Sequence, residues 1–205
     1  MRGLYLVTPN WDDTDRLLDL TREALDAGVA LVQYRHKDAT PELRRAQGAA
    51  LLTLCRRYGR PFIVNDHLPL CMTLDADGIH LGGSDVDIAQ ARAALGPDKI
   101  IGASCYGELE LAKAAQAAGA SYVAFGGFYP SPVKKYTFTT EPEIITQAKA
   151  QLRVPVVVIG GMTPANAAPL VARGADMVAA ITSVYQAPDP GAAVRQFDAL
   201  FAAAH

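Results

Sequence analysis

The chain has 205 residues, half of them apolar, enough for one compact domain over 1–205 with a sizeable core. Its formal net charge of −2, with no run of Lys and Arg, excludes a general affinity for nucleic acid, and no apolar run reaches the ~18 residues needed to cross a membrane. Three cysteines, Cys55, Cys71 and Cys105, lie far apart without a C-x-x-C spacing, so neither a disulfide framework nor a zinc knuckle is expected, and the compartment is expected to be reduced and cytoplasmic.

The first strand pattern starts at Leu4, and no signal peptide is expected before it. Short apolar runs then alternate with longer amphipathic ones. Strands are expected at 4–8, 30–34, 61–65, 78–81, 99–104, 122–126, 154–159 and 177–181. Their apolar character is unbroken, as in parallel strands covered on both faces. The first helix places Leu17, Leu18, Ala24 and Leu25 on one face. The second starts at Pro41 and places Leu43, Ala46, Ala50 and Leu54 at helical spacing, with Cys55 in the core. Thr40-Pro41 and Thr163-Pro164 read as an N-cap followed by Pro in the first turn. A third, short helix is expected at 68–74.

Gly28, Gly59, Gly96, Gly119 and Gly174 each follow a helical pattern and precede a strand, where a left-handed cap costs Gly little. Eight such strand–helix units close most naturally as a (β/α)8 TIM barrel, compact beside the ~250 residues typical of the class. An open doubly wound sheet would need a Gly-rich fingerprint after the first strand, and residues 4–10 have none. Residues 134–142 read as a mobile loop after the sixth strand.

In such a barrel the site lies where the strands end. The strand starts here carry Gly, Ala, Pro and little else; the ends are polar. Val32-Gln33-Tyr34-Arg35-His36-Lys37 begins as a buried strand and ends cationic. Alternation puts Leu31, Gln33, Arg35 and, if the strand continues, Lys37 on one side, a clamp for a polyanion; the blander alternative is a strand end fraying into a solvated loop. Asn65 and Asp66 end the third strand, Gly82-Gly83-Ser84-Asp85 follows the fourth, Ser104 ends the fifth, and Tyr129-Pro130-Ser131-Pro132-Val133-Lys134 follows the sixth. Gly160-Gly161 before Thr163-Pro164, with Ile181-Thr182-Ser183 opposite, makes a phosphate cup or simply a tight turn. Asp66 and Asp85 suit a hard cation such as Mg²⁺ shared with substrate phosphates; alternatively each is a helix cap, Asp85 before 88–95. His80 reads as a satisfied core histidine, and His36 and His67 as exposed.

Taken together, Val32-Gln33-Tyr34-Arg35-His36-Lys37, Ile63-Val64-Asn65-Asp66, Ala76-Asp77-Gly78-Ile79-His80-Leu81-Gly82, Tyr129-Pro130-Ser131-Pro132-Val133-Lys134 and Ile159-Gly160-Gly161-Met162 resemble the thiamine phosphate synthase family over nearly the whole chain. The resemblance implies a TIM barrel that joins 4-amino-2-methyl-5-hydroxymethylpyrimidine diphosphate to hydroxyethylthiazole phosphate and releases pyrophosphate, through a pyrimidine carbocation. It implies that Gln33, Arg35, Lys37, Asn65 and Lys134 hold the pyrimidine diphosphate, that Asp66 and Asp85 carry Mg²⁺, and that Ser104 contacts the pyrimidine substrate or the leaving group. It places Ser131, Val133, Gly161 and the Ile181–Thr182 backbone at the thiazole phosphate, and makes 134–142 the lid. Departures from the family pattern are Ser131 and Val133 where threonines are common, Tyr106 where His is common, Thr182 for a common Ser, and a less polar 82–84. Val133 has no hydroxyl, so a thiazole contact there is by backbone or packing.

Three rivals share the fold. A thiazole tautomerase would lack the diphosphate clamp and use a strand-five histidine, where this chain has Tyr106. A non-catalytic thiamine-phosphate-binding barrel would not need Lys37, Asp66, Asp85 and Lys134. A phosphate-sugar isomerase needs an acid/base pair that the sequence does not offer. The expected partners are small-molecule substrates, with no nucleic acid and no membrane; a homo-oligomer stays open.

Overall fold

Strands form where the chain is apolar and β-branched, as in Val156-Val157-Val158-Ile159, and helices where apolar residues recur at helical spacing. The protein is described by a computed structural model covering residues 1–82, 87–130 and 137–203. Its strands are β1 (Gly3–Val7), β2 (Leu31–Tyr34), β3 (Phe62–Asn65), β4 (Gly78–Leu81), β5 (Ile100–Tyr106), β6 (Tyr122–Gly126), β7 (Val156–Ile159) and β8 (Met177–Ala180). They pair in parallel in sequence order, and β1 closes on β8 through Gly3 opposite Met177 and Leu6 opposite Ala180. The helices are α1 (Thr14–Asp26), α2 (Pro41–Arg57), α3 (Leu68–Leu74), α4 (Ile88–Leu95), α5 (Leu109–Ala117), α6 (Glu143–Gln151), α7 (Pro164–Ala172), α8 (Thr182–Tyr185) and α9 (Pro190–Ala203). The (β/α)8 expectation holds.

Closure divides the apolar residues into two cores. Alternate strand residues such as Leu4, Leu6, Val32, Val64, Phe125 and Val158 pack outward against the helices. The intervening ones, Tyr5, Val7, Leu31, Ile63, Tyr122, Ala124, Val157, Met177 and Ala179, fill the barrel interior. Large and small residues complement each other inside. A Cβ built on Gly102 would overlap the Tyr122 ring, and one on Gly78 would overlap the Ile100 backbone. Each fully buried Val, Leu, Ile or Phe contributes about 1.5–3 kcal/mol over its exposed state.

The helix caps follow the sequence. Thr40 accepts from the Leu43 N–H at 3.2 Å, Thr163 and Asn166 form a reciprocal capping box, and the glycine after α7, Gly174, has φ +106. Asp87 caps α4, accepting from the Ala89 N–H at 2.8 Å, while the cap alternative for Asp85 lies outside the described residues. The buried face of α2 is Gln47, Gly48, Leu51, Leu52, Leu54 and Cys55, so Ala46 is exposed and Leu43 and Ala50 are half-buried. Gln47 turns inward because its side chain has partners there: Oε1 accepts from the Tyr34 hydroxyl at 3.0 Å, and Nε2 donates to the Trp11 carbonyl at 2.9 Å. No helix among the described residues is long and apolar enough to cross a membrane.

Substituting Gly102 with Ala is expected to lower stability by about 2 kcal/mol, since overpacking a filled core costs roughly 1–3 kcal/mol. The measurement is the urea midpoint; an unchanged midpoint would mean that the Tyr122 ring can move aside freely.

Candidate active site

β2 ends at Tyr34, so Lys37 lies in the following loop and not on the strand. That loop is held in place from β1: Thr8 Oγ1 accepts from the Arg35 N–H at 2.8 Å and donates to the Arg35 carbonyl at 3.2 Å. Farther along, Asn10 Oδ1 accepts from the Lys37 N–H at 3.3 Å and Asn10 Nδ2 donates to Asp38 at 2.8 Å. Lys37 is exposed and Arg35 half-buried. Gln33 does not join them in a clamp. It lies one layer deeper, inside the barrel and only 4% exposed, where Nε2 donates to the Tyr5 hydroxyl at 2.6 Å. The reason is the two-residue period: Gln33 points into the barrel, while the polar residues beyond the strand end reach the rim. His36, expected to be exposed, is buried at 5% because Nε2 meets the Asp12 carboxylate at 2.9 Å. His67 is exposed as expected.

Asp66 follows β3 in a left-handed conformation, φ +62, which Asp tolerates better than most residues. Its N–H donates to the His80 carbonyl at 2.9 Å, and its Oδ2 accepts from Asn65 Nδ2 at 2.5 Å. It does not cap α3: the N-cap position is His67, which makes no side-chain cap. At the end of β5 a register shift between Ser104 and Tyr106 accompanies a left-handed Tyr106, φ +54. Among the described residues only Asp66, Asp75 and Tyr106 are non-glycine residues with positive φ, and two of the three lie at this mouth.

His80 is a satisfied interior histidine, as expected, and it touches the site. Nδ1 lies 2.9 Å from the Tyr122 hydroxyl and Nε2 lies 2.9 Å from Ser104 Oγ. Tyr122 in turn bonds Tyr5 at 2.6 Å. Burial holds both phenols well above their ordinary range, so both keep their protons.

Loops six and seven are joined. The Tyr129 hydroxyl donates to the Asn166 carbonyl at 2.8 Å, and Asn166 Nδ2 donates to the Gly161 carbonyl at 2.9 Å. Gly160 and Gly161 have φ +108 and +62, and a Cβ on Gly161 would overlap the Pro130 carbonyl, so glycine is required there by both conformation and space. The capping box engages the N–H groups of Thr163 and Asn166 within α7. Opposite, Ile181 is the N-cap of the short α8, which starts at Thr182, and Ser183 Oγ is buried without a partner among the described residues. The end of the 134–142 loop is anchored: Thr140 donates through Oγ1 to the Gly126 carbonyl at 2.5 Å and through N–H to the Gly127 carbonyl at 3.0 Å. Asp85, Ser131, Val133 and Lys134 lie outside the described residues.

A cleft of about 240 Å³ lies beside the ends of β2 and β3 and the start of α2, lined by Lys37, Arg44, Asn65, Asp66, His36 and His67 together with Tyr34 and Val64. Arg44 is not singled out by the sequence, since its charge on a helical face reads as solvated; it donates to the Ala39 carbonyl at 2.8 Å, while its buried Nε and His36 Nδ1 have no partner among the described residues. Two cations beside one carboxylate suit a polyanion with a hard cation. Among the described residues no three His, Cys, Asp or Glu side chains converge on a metal-sized site. Mg²⁺ needs one or two carboxylates plus substrate phosphates, and Asp66, the one carboxylate lining this cleft, fits that requirement.

The profile of the thiamine monophosphate synthase family matches residues 4–184. The chain is 63% identical over 202 residues to thiamine-phosphate synthase from Janthinobacterium sp. (strain Marseille), covering 98% of both chains. It is 49% identical to thiamine-phosphate synthase from Thiobacillus denitrificans, covering 98% of this chain and 95% of that one. Its fold superimposes on thiamine phosphate pyrophosphorylase from Pyrococcus furiosus with a TM-score of 0.87 at 31% identity, covering 98% and 96% of the two chains.

Next to Ser104, Cys105 points outward into the helix-facing core, and burial pushes its thiol up to about 12. Burial likewise pushes Cys55 to about 12 and Cys71 to about 11. A thiolate nucleophile is therefore not part of this site. The native protein is expected to leave all three thiols unreacted with a disulfide reagent at neutral pH, and to expose three on unfolding; rapid native labelling of Cys105 would contradict its placement.

Proposed function

The chain belongs to the thiamine monophosphate synthase family, and on that premise we propose how its barrel mouth performs the reaction. The protein is a transferase that joins the pyrimidine diphosphate to the thiazole phosphate, giving thiamine phosphate and pyrophosphate. The observation that best supports the site assignment is the cleft lined together by Lys37, Arg44, Asn65 and Asp66.

The bond between the pyrimidine methylene and the diphosphate oxygen breaks, and its electron pair leaves with pyrophosphate. Arg35, Lys37 and Lys134 neutralise that charge, which is the chief electrostatic demand of the step. Asn65 and the Ser104 hydroxyl orient the pyrimidine diphosphate, and Gln33 reaches its ring from within the barrel. The resulting carbocation is captured by the lone pair of the thiazole nitrogen, so no protein nucleophile takes part and the enzyme supplies orientation and exclusion of water. The thiazole phosphate rests on Gly161 and the Ile181–Thr182 backbone, with Ser131 and the Val133 backbone across from it. Because the capping box engages part of the α7 terminus, the glycine turn carries much of this contact.

Mg²⁺ would be held by Asp66 and Asp85, where it would neutralise diphosphate oxygens. Three buried, unpaired cysteines support a reducing, cytoplasmic setting.

Pyrophosphate release is expected to require both substrates and Mg²⁺ together. Asp66→Asn is expected to lower turnover on the order of 100-fold while leaving the KM for thiazole phosphate within about twofold, as for a group acting on the leaving charge alone. Equal damage to both constants would move Asp66 out of the diphosphate site.

A further inference from the structure

Five polar side chains cross the barrel interior in one unbroken line: Gln33 to Tyr5 at 2.6 Å, Tyr5 to Tyr122 at 2.6 Å, Tyr122 to His80 Nδ1 at 2.9 Å, and His80 Nε2 to Ser104 Oγ at 2.9 Å. We propose that His80 is a positioning residue, held by this line as its Nε2–H tautomer, and that it thereby makes the Ser104 hydroxyl a hydrogen-bond donor to the bound pyrimidine diphosphate. The inference rests on the reading that Ser104 contacts that substrate.

Proton counting sets the direction of each link. Gln33 presents Nε2 to Tyr5, so the amide is the donor and the Tyr5 oxygen the acceptor. Each phenol has one proton, and burial keeps it there. Because Tyr5 accepts from Gln33, its own proton goes to its other partner, the Tyr122 oxygen 2.6 Å away, which leaves the Tyr122 proton for His80. Tyr122 donates to His80 Nδ1, which is therefore the bare nitrogen, and the ring proton sits on Nε2 and points at Ser104 Oγ. With Nε2–H donating to it, Ser104 has its own proton available for another acceptor, such as a diphosphate oxygen or a ring nitrogen.

The rings reinforce the order. His80 stacks on Tyr122 at 5.6 Å with an 18° interplanar angle, and Tyr5 meets Tyr122 edge-on at 5.7 Å. Neither phenol can turn to a different partner without leaving a polar atom unpaired in the core, where each is no more than 1% exposed. Reversing any one link requires reversing them all, down to a flip of the Gln33 amide. The polarity of Ser104 is thus set from the far side of the barrel, by a residue with which it shares no contact.

The test begins with the wild-type protein labelled with ¹⁵N-histidine, without substrates, at a pH well above the ordinary imidazole value of about 6.5. His80 is assigned by elimination in variants lacking His36, His67 or His205. A protonated, pyrrole-type Nε2 and a bare, pyridine-type Nδ1 are expected; the opposite tautomer or an even mixture overturns the proposal. In the second arm Tyr122→Phe, shown to be folded by its thermal transition, is expected to shift His80 toward a tautomer mixture. It should lower kcat on the order of tenfold, the weight of one lost hydrogen bond, with the KM for thiazole phosphate unchanged. Adding Ser104→Ala should then cost no more than Ser104→Ala alone. Independent, additive losses with an unshifted His80 signal would reduce Tyr122 to a packing role and overturn the proposal. A wild-type enzyme that shows the expected tautomer yet makes no thiamine phosphate would defeat the assigned reaction instead.

Discussion

Closing eight parallel strands puts every second strand residue into an interior that the side chains themselves fill, and the rest of this structure follows from that enclosure. Most of the interior is apolar, from Leu31 and Ile63 to Val157 and Met177. The polar exceptions, Tyr5, Gln33, Tyr122, His80 and Ser104, satisfy one another in series. A buried donor or acceptor left unpaired costs about 1–3 kcal/mol, so such a line is stable only when complete. The glycines at 78 and 102 belong to the same arrangement, since they leave the room that Ile100 and Tyr122 occupy.

The enclosure also decides where chemistry can happen. Inside, charge is excluded; at the rim, strand ends turn outward and can carry it. The loops there are held by specific bonds: Thr8 holds the Arg35 backbone, the Asp66 N–H ties the third loop to β4, and Thr140 ties the loop after β6 back to that strand. Left-handed conformations at Asp66 and Tyr106 cost energy and persist because the neighbouring pairing dictates them. The outcome is a rim of fixed polar groups above a rigid interior, suited to a reaction that depends on orienting two substrates and neutralising a departing diphosphate.

Much of this is legible in residue pattern. The strands at 78–81 and 122–126 and the short helix at 68–74 agree with the structure to the residue, because apolar run length and flanking turn chemistry are local properties. The glycines before β2, β3, β5, β6 and β8 have positive φ for the same local reason. The α2 face differs from its periodicity by about one position: Gln47 counts as polar in a periodicity, yet its amide has inward partners. His36 and Gln33 depart similarly, since a polar residue is buried whenever a distant partner, Asp12 or Tyr5, waits for it. Tyr5 and Tyr122 carry no functional signal in the sequence, where they read as ordinary core aromatics.

The sequence by itself determined the order of strands and helices, the closed parallel barrel and the polar residue types gathered at its rim. These depend on alternation, helical spacing and turn chemistry, which act over a few residues and so are written locally. Only the tertiary structure decided which polar groups face one another: that Lys37 and Arg44 share a cleft with Asp66, and that Ser104 answers through His80 to Tyr122. Those pairings join residues tens of positions apart, and a hydrogen bond is specified by distance and direction in space, quantities that closure of the barrel creates and that no local pattern contains.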